Sequence, residues 1–190
     1  IKELRKLAID RFLRVDKGEL VIEARKQLAG LALKNNDSKQ ADRWFSEARL
    51  LFPNFEVRLN IAEAQFRTAN NRAGEAIPQL TEALSQDPES IEILYTRALA
   101  FEQIDNIDAT EKDLRRILEL KPNDPDALNA LGYTLADRTD RYDEALVLIK
   151  AALQQKPESA AILDSMGWVL LKLGQLKKAE SYLTKAWGKS

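Results

Sequence analysis

Carboxylates are the side chains through which this sequence could do acid–base, nucleophilic or metal chemistry. It holds 30 aspartates and glutamates, no histidine and no cysteine. Two carboxylates can divide the acid and base roles of a glycoside hydrolysis, and a cluster of them can hold a hard cation. Without histidine there is no Ser-His-Asp or Cys-His arrangement, and no imidazole base titrating near neutral pH. Without cysteine there is no thiol nucleophile, disulfide or zinc-thiolate site. So many acids on helical sequence make chance pairs common, and no pair stands out. The sequence therefore predicts no catalytic residue, no cofactor, no metal site and no enzyme.

Lysine and arginine number 29, which leaves a net charge of -1. That balance lacks the basic footprint of a nucleic-acid binder, and no basic run would hold an anionic membrane surface. No apolar stretch reaches the roughly 18–20 residues that a membrane span needs. The expected partners are proteins or peptides, without nucleic acid and without membrane insertion by this stretch. The chain opens on Ile1 rather than methionine, and is expected to be a piece of a longer protein whose targeting segment lies elsewhere.

What must position any binding residues is visible in the prolines. Four of them fall at Pro53, Pro88, Pro122 and Pro157, a period near 34 residues. Five places before each stand Ala48, Ala83, Ile117 and Ala152; eight places before, Phe45, Leu80, Leu114 and Ile149; twelve places before, Ala41, Ala76, Thr110 and Ala145. Ala179, Leu183 and Ala186 repeat the ladder at the end of the chain. Spacings of three and four put each set on one helical face, the second helix of a repeat. First helices carry ladders of their own: Leu59, Ala62 and Phe66; Leu94, Ala98 and Phe101; Leu128, Leu131, Gly132 and Leu135; Leu163, Met166, Gly167 and Leu170. A recurring mid-helix glycine weakens a helix by up to about 1 kcal/mol, so its place argues for close helix–helix approach.

These residues resemble the tetratricopeptide repeat (TPR) family. The resemblance implies an all-α fold, a right-handed superhelix (α-solenoid) of about five helix-turn-helix repeats. They span 21–187, at about 21–54, 55–89, 90–123, 124–158 and 159–187. A leading helix over 1–20 is either the remnant of a preceding repeat or a cap. Departures from the family pattern are Arg25 and Arg97 in place of leucine, Glu63 in place of glycine, and Thr110 and Ile117 in place of alanine.

Local chemistry marks several boundaries. Asp124-Pro125 fits an N-cap followed by a proline at the first helical position, and Ser90 and Ser159 are candidate caps. Pro78 is tolerable only in a first turn, so its helix is expected to start near Gly74 or Glu75. The turn over 137–141 is expected to hold the extra residue of the fourth repeat.

By resemblance, the inner wall is built from first helices, and particular positions of each repeat line a groove. Those carried over here are Asn60, Arg67, Tyr95, Leu99, Glu102, Asn129, Tyr133, Asp137, Asp164 and Trp168. Tyr95, Leu99, Tyr133 and Trp168 form an aromatic and aliphatic strip that the repeat core does not demand, and such strips mark contact sites. Packing of Tyr133 and Trp168 against a neighbouring second helix is the alternative. Wall charge changes sign, from Lys26, Lys34 and Arg67 against Glu23 to Lys172 against Glu92, Glu102, Asp126, Asp137 and Asp164. The carboxylate clamp of chaperone-binding members is not reproduced: Lys26 and Asn60 match it, but Gly30, Glu92 and Thr96 replace its polar and basic partners.

The stretches from Asn129 to Arg141 and from Leu163 to Trp168, with Leu94 to Leu99 and Asp113 to Arg116, resemble a narrower family. These are Gram-negative outer-membrane TPR lipoproteins, adaptors that bring a periplasmic carboxyl-terminal processing protease together with cell-wall hydrolases. The resemblance implies a non-catalytic adaptor in the periplasm, anchored to the outer membrane by an N-terminal lipid outside this stretch. A cytoplasmic or secretion-related scaffold with an unrelated client, or the repeat region of a longer enzyme, are the alternatives.

Overall fold

A computed structural model of the chain describes residues 9–15 and 20–189. Ten α-helices follow one another: α1 (Leu20–Leu33), α2 (Ser38–Leu51), α3 (Glu56–Ala69), α4 (Ala73–Gln86), α5 (Ile91–Gln103), α6 (Ile107–Leu120), α7 (Pro125–Arg138), α8 (Tyr142–Gln155), α9 (Ala160–Lys172) and α10 (Leu176–Trp187). A 3₁₀ turn covers Pro53–Phe55, and no strand occurs among the described residues. Of the expected leading helix, 9–13 is helical, while 1–8 and 16–19 lie outside the described residues. The chain divides into two compact units, Ile1–Ala83 and Leu84–Ser190.

Within each unit the apolar ladders are the core. Ala41, Phe45 and Ala48 of α2 are fully buried against Leu59 and Ala62 of α3, with Phe66 and Trp44 packed on that cluster. The Phe45 and Phe66 rings meet at 5.6 Å. In the C-terminal unit, Leu131 and Leu135 of α7 and Ala145, Ile149 and Ala152 of α8 are wholly buried. Both mid-helix glycines sit where nothing larger fits. A Cβ on Gly132 would fall 2.6 Å from Ile149 Cγ1 and 3.1 Å from the Ala145 carbonyl oxygen; one on Gly167 would fall 2.6 Å from Leu183 Cγ.

Of the five residues that depart from the family pattern, Ile117 is buried in the core and the four polar ones are each held by a partner. Arg25 is buried and donates from Nη1 to the Phe12 carbonyl at 3.3 Å, which ties the leading segment to α1. Thr110 donates to the Asn106 carbonyl at 3.0 Å. Arg97 grips Asp113 with two hydrogen bonds of 2.7 Å, joining α5 to α6. Glu63, in the glycine position of α3, is buried and bonded to Arg49 and, at 2.7 Å, to Arg67.

Turns between first and second helices reverse on a left-handed residue in four repeats: Asn36, Asn71, Asp105 and Gly174, types for which positive φ costs least. The fourth repeat uses its extra residue differently. Thr139 is extended, its hydroxyl donates to the Leu135 carbonyl at 2.6 Å, and it accepts from the Arg141 amide at 3.1 Å.

Three boundary expectations need comment. Asp124 caps α7 as expected, accepting from the amides of Asp126 and Ala127 at 3.1 and 2.9 Å. Ser90 and Ser159 occupy N-cap positions but their hydroxyls make no cap bond. Asp37 and Asn106, which the sequence reading passed over, cap α2 and α6. Pro78 corrects the late-start expectation: α4 begins at Ala73, so the proline lies in its second turn. Its missing N–H leaves the Gly74 carbonyl without an intrahelical bond, and both residues are exposed, where water can serve that oxygen.

Candidate protein-binding face

Eight of the ten expected site residues lie in the C-terminal unit, on its three first helices. Tyr95, Leu99 and Glu102 are on α5, Asn129, Tyr133 and Asp137 on α7, and Asp164 and Trp168 on α9. Steps of three or four residues align each set along one helix face. Helix α9 packs on α7, and α7 meets α5 through side chains, Thr134 donating to Glu102 Oε1 at 3.4 Å.

Exposure is graded along this face. Leu99 is 36% exposed and Leu171 40%, while Tyr95, Tyr133 and Trp168 are half-buried. The Trp168 indole N–H and the Asn129 amide oxygen are buried without a hydrogen-bond partner. Those edges are therefore turned into the helix layer, and Trp168 serves packing as well as surface. Its ring face is covered by the chain's own Lys172, whose Nζ lies 4.9 Å from the ring centre.

Electrostatics distinguish the carboxylates from one another. Asp126 is bound by Lys156 Nζ at 2.8 and 2.9 Å. Asp137 pairs with Arg138 Nε at 2.8 Å, and the same arginine reaches Asp105 at 2.6 Å. Burial pushes the Glu102 carboxyl above its ordinary range, Thr134 and Arg138 oppose that rise, and Asp137 adds to it. The Tyr133 phenol is pushed up by burial, then by Asp137, Glu102 and Asp164, one carboxylate from each of the three helices. Tyr95 is raised by burial and by Asp126, Glu102 and Asp124. No group of three or more acids among the described residues is arranged to hold a metal ion. The arrangement can bind, by apolar contact and by charge.

The remaining two site residues, Asn60 and Arg67, belong to a polar network inside the N-terminal unit. Arg67 bonds Glu63 at 2.7 Å, Asp42 at 3.3 Å and the Glu75 carbonyl at 3.1 Å. Asn60 accepts from Gln79 at 2.9 Å and Arg49 at 3.3 Å. Arg72 closes the network on Asp42 at 2.8 Å and Glu75 at 2.6 Å. Both expected groove residues are thus engaged in joining α2, α3 and α4. Sequence reasoning counted Lys172 among the wall charges without its place over the Trp168 ring, and missed Arg138 as a cation that shapes the C-terminal face.

Paired helices of this period, close-packed through small residues, with a graded aromatic face on their first helices, define a helical-repeat binding protein. The tetratricopeptide repeat family model matches residues 67–132 and 138–189, and the chain belongs to that family. A TPR repeat-containing protein of Pseudomonas aeruginosa is 38% identical over 179 residues, 94% of this chain and 30% of the relative's length. The bacteriophage adsorption protein A of Escherichia coli K12 is 29% identical over 107 residues, 56% of this chain and 11% of its own length. The chain thus spans less than a third of either relative. Among solved structures, BtubC from P. vanneervenii matches with a TM-score of 0.72 at 21% identity, covering 99% of this chain and 85% of that one. MamA from Desulfovibrio magneticus RS-1 matches at 0.66 and 14% identity, covering 88% and 94%. These two likenesses establish the all-helical repeat fold. The TPR repeats make the chain a protein-interaction scaffold. No described helix is long and apolar enough to cross a membrane.

Proposed function

We propose that this chain is a non-catalytic adaptor that holds protein clients on the α5–α7–α9 face of its C-terminal unit. In the reading that the Asn129–Arg141 and Leu163–Trp168 stretches favour, it acts in the periplasm of a Gram-negative bacterium. There it presents cell-wall hydrolases to a carboxyl-terminal processing protease, anchored to the outer membrane by a lipid carried outside this stretch. The observation that carries the binding role is the alignment of Leu99, Tyr133 and Trp168 at one position of three successive repeats, partly exposed where a core position would be closed. Such half-buried aromatic anchors typically dominate binding, with charged rims tuning rate and partner choice.

The test is a pull-down from a periplasmic extract with the wild-type chain and with Trp168→Ala, read by mass spectrometry. Recovery of a processing protease and cell-wall hydrolases supports the adaptor, and loss of the hydrolases alone in the variant assigns the face to substrates. Recovery of neither class, or identical recovery by both proteins, overturns it.

A further inference from the structure

The charge pattern of the α5–α7–α9 face specifies the chemistry of the segment it takes, an inference that rests on reading this face as the binding surface. Cations of the chain itself occupy the C-terminal edge of the face, at the last residues of α7 and α9. Lys172 lies over the Trp168 ring, an attraction between ammonium and π-cloud. Arg138 spans Asp137 and Asp105. Along the helices stand Tyr95, Leu99 and Tyr133, with Glu102 on α5 and Asp164 on α9 to either side of α7. Among the described residues neither of those two carboxylates forms an ion pair, while Asp126, Asp137 and Asp105 each do. Glu102 has the Thr134 hydroxyl as its hydrogen-bond donor, at 3.4 Å. The middle of the face therefore combines apolar ring surface with two carboxylates that no cation of the described residues binds directly.

We propose that this middle region receives a lysine or arginine side chain of a partner protein, its aliphatic stem against Tyr95, Leu99 and Tyr133 and its charge between Glu102 and Asp164. A long basic side chain suits such a surface because its methylenes cover apolar area while its head meets the acids. Arginine has the further capacity to stack on a tyrosine ring. The exposed Leu99 and Leu171 on either side call for aliphatic neighbours in the same segment, which makes the occupant a polypeptide rather than a small cation. An acidic segment would meet like charge, and a neutral polar one would leave the half-buried Glu102 uncompensated.

The experiment is selection of a randomised twelve-residue peptide library on the immobilised chain, run in parallel on Trp168→Ala, Arg138→Gln and the double variant Glu102→Gln/Asp164→Asn. Thermal melts establish that each variant is folded. Lysine or arginine beside aliphatic residues should dominate the wild-type pool. Resynthesised winners should lose about tenfold in affinity when that cation is replaced by glutamine. The double variant should remove the preference, and Arg138→Gln should strengthen it by releasing Asp137. A pool of apolar, uncharged peptides whose capture depends on Trp168 keeps the face and overturns the charge inference. A basic preference that survives the double variant also overturns it. A pool indifferent to Trp168→Ala overturns both the inference and the reading beneath it.

Discussion

Gly132 of α7 lies so near Ile149 of α8 that the isoleucine side chain packs directly on the glycine backbone; a Cβ on the glycine would intrude to 2.6 Å of Ile149 Cγ1. The same contact recurs one repeat later between Gly167 and Leu183. Because the Ala145 backbone oxygen also closes on the Gly132 site at 3.1 Å, rotation of the isoleucine alone cannot make room.

Gly132→Leu and Gly167→Leu are therefore expected to overpack their helix pairs and destabilise by about 1–3 kcal/mol each. Gly30, with nothing within 4 Å of its Cβ position, is the control: Gly30→Ala should be neutral or stabilising by up to about 1 kcal/mol. Urea unfolding of the three variants checks this. Equal, small effects at all three positions would contradict the close-approach account.

Arg97 and Asp113 stand as a bidentate pair where the family pattern has leucine packing at the arginine position, and the Arg97 guanidinium also lies 5.6 Å from the Phe101 ring centre. Asp113→Leu should cost on the order of 2 kcal/mol, because it takes the two-point carboxylate partner from a partly buried guanidinium. Arg97→Leu/Asp113→Leu together should recover most of that loss. A double-mutant cycle in denaturant melts measures the coupling, and additive effects would show the pair to be incidental.

Glu102 gives a pH signature. Burial raises its carboxyl above the ordinary value of 4.5, so the folded chain holds that proton more tightly than the unfolded chain does. Stability from this group is fully present below the unfolded value and is lost as pH rises through the folded one. Wild type relative to Glu102→Gln should thus lose stability as pH rises above the ordinary carboxylate value, followed by urea melts at increasing pH. A difference that grows with pH would contradict the assignment. Binding of a cation-bearing peptide should run the other way and weaken on acidification, as protonation removes the charge that attracts it.

Much of this was legible in the sequence because it is local or periodic. The prolines set the repeat, and the glycines at 132 and 167 announced the close contacts before any coordinates. Asn36, Asn71, Asp105 and Gly174 could have been found too, since each lies just before a second helix. The Glu63 network was not legible. Arg49, Arg67, Asp42, Arg72 and Glu75 meet across three helices with separations of up to 30 residues, and no periodicity announces such partners. Asn60 and Arg67 were read by repeat position alone, and position does not reveal that a buried acid in a glycine's place will engage Arg67, or that Gln79 and Arg49 will engage Asn60. Ser90 and Ser159 were legible as cap positions but not as cap bonds, which depend on a side-chain rotamer.

The central claim is that clients bind the first-helix face of the C-terminal unit. Site-specific photo-crosslinking tests it most directly, with a photoreactive phenylalanine at Leu99 or Leu171 on that face and, for comparison, at the exposed Val147 on α8 and Leu50 on α2. In periplasmic extract the account predicts crosslinks to the same client from Leu99 and Leu171, suppressed by Trp168→Ala, and none to it from Val147 or Leu50. Crosslinking of that client from Val147 or Leu50, with Leu99 and Leu171 silent, would contradict the account and move the binding surface elsewhere.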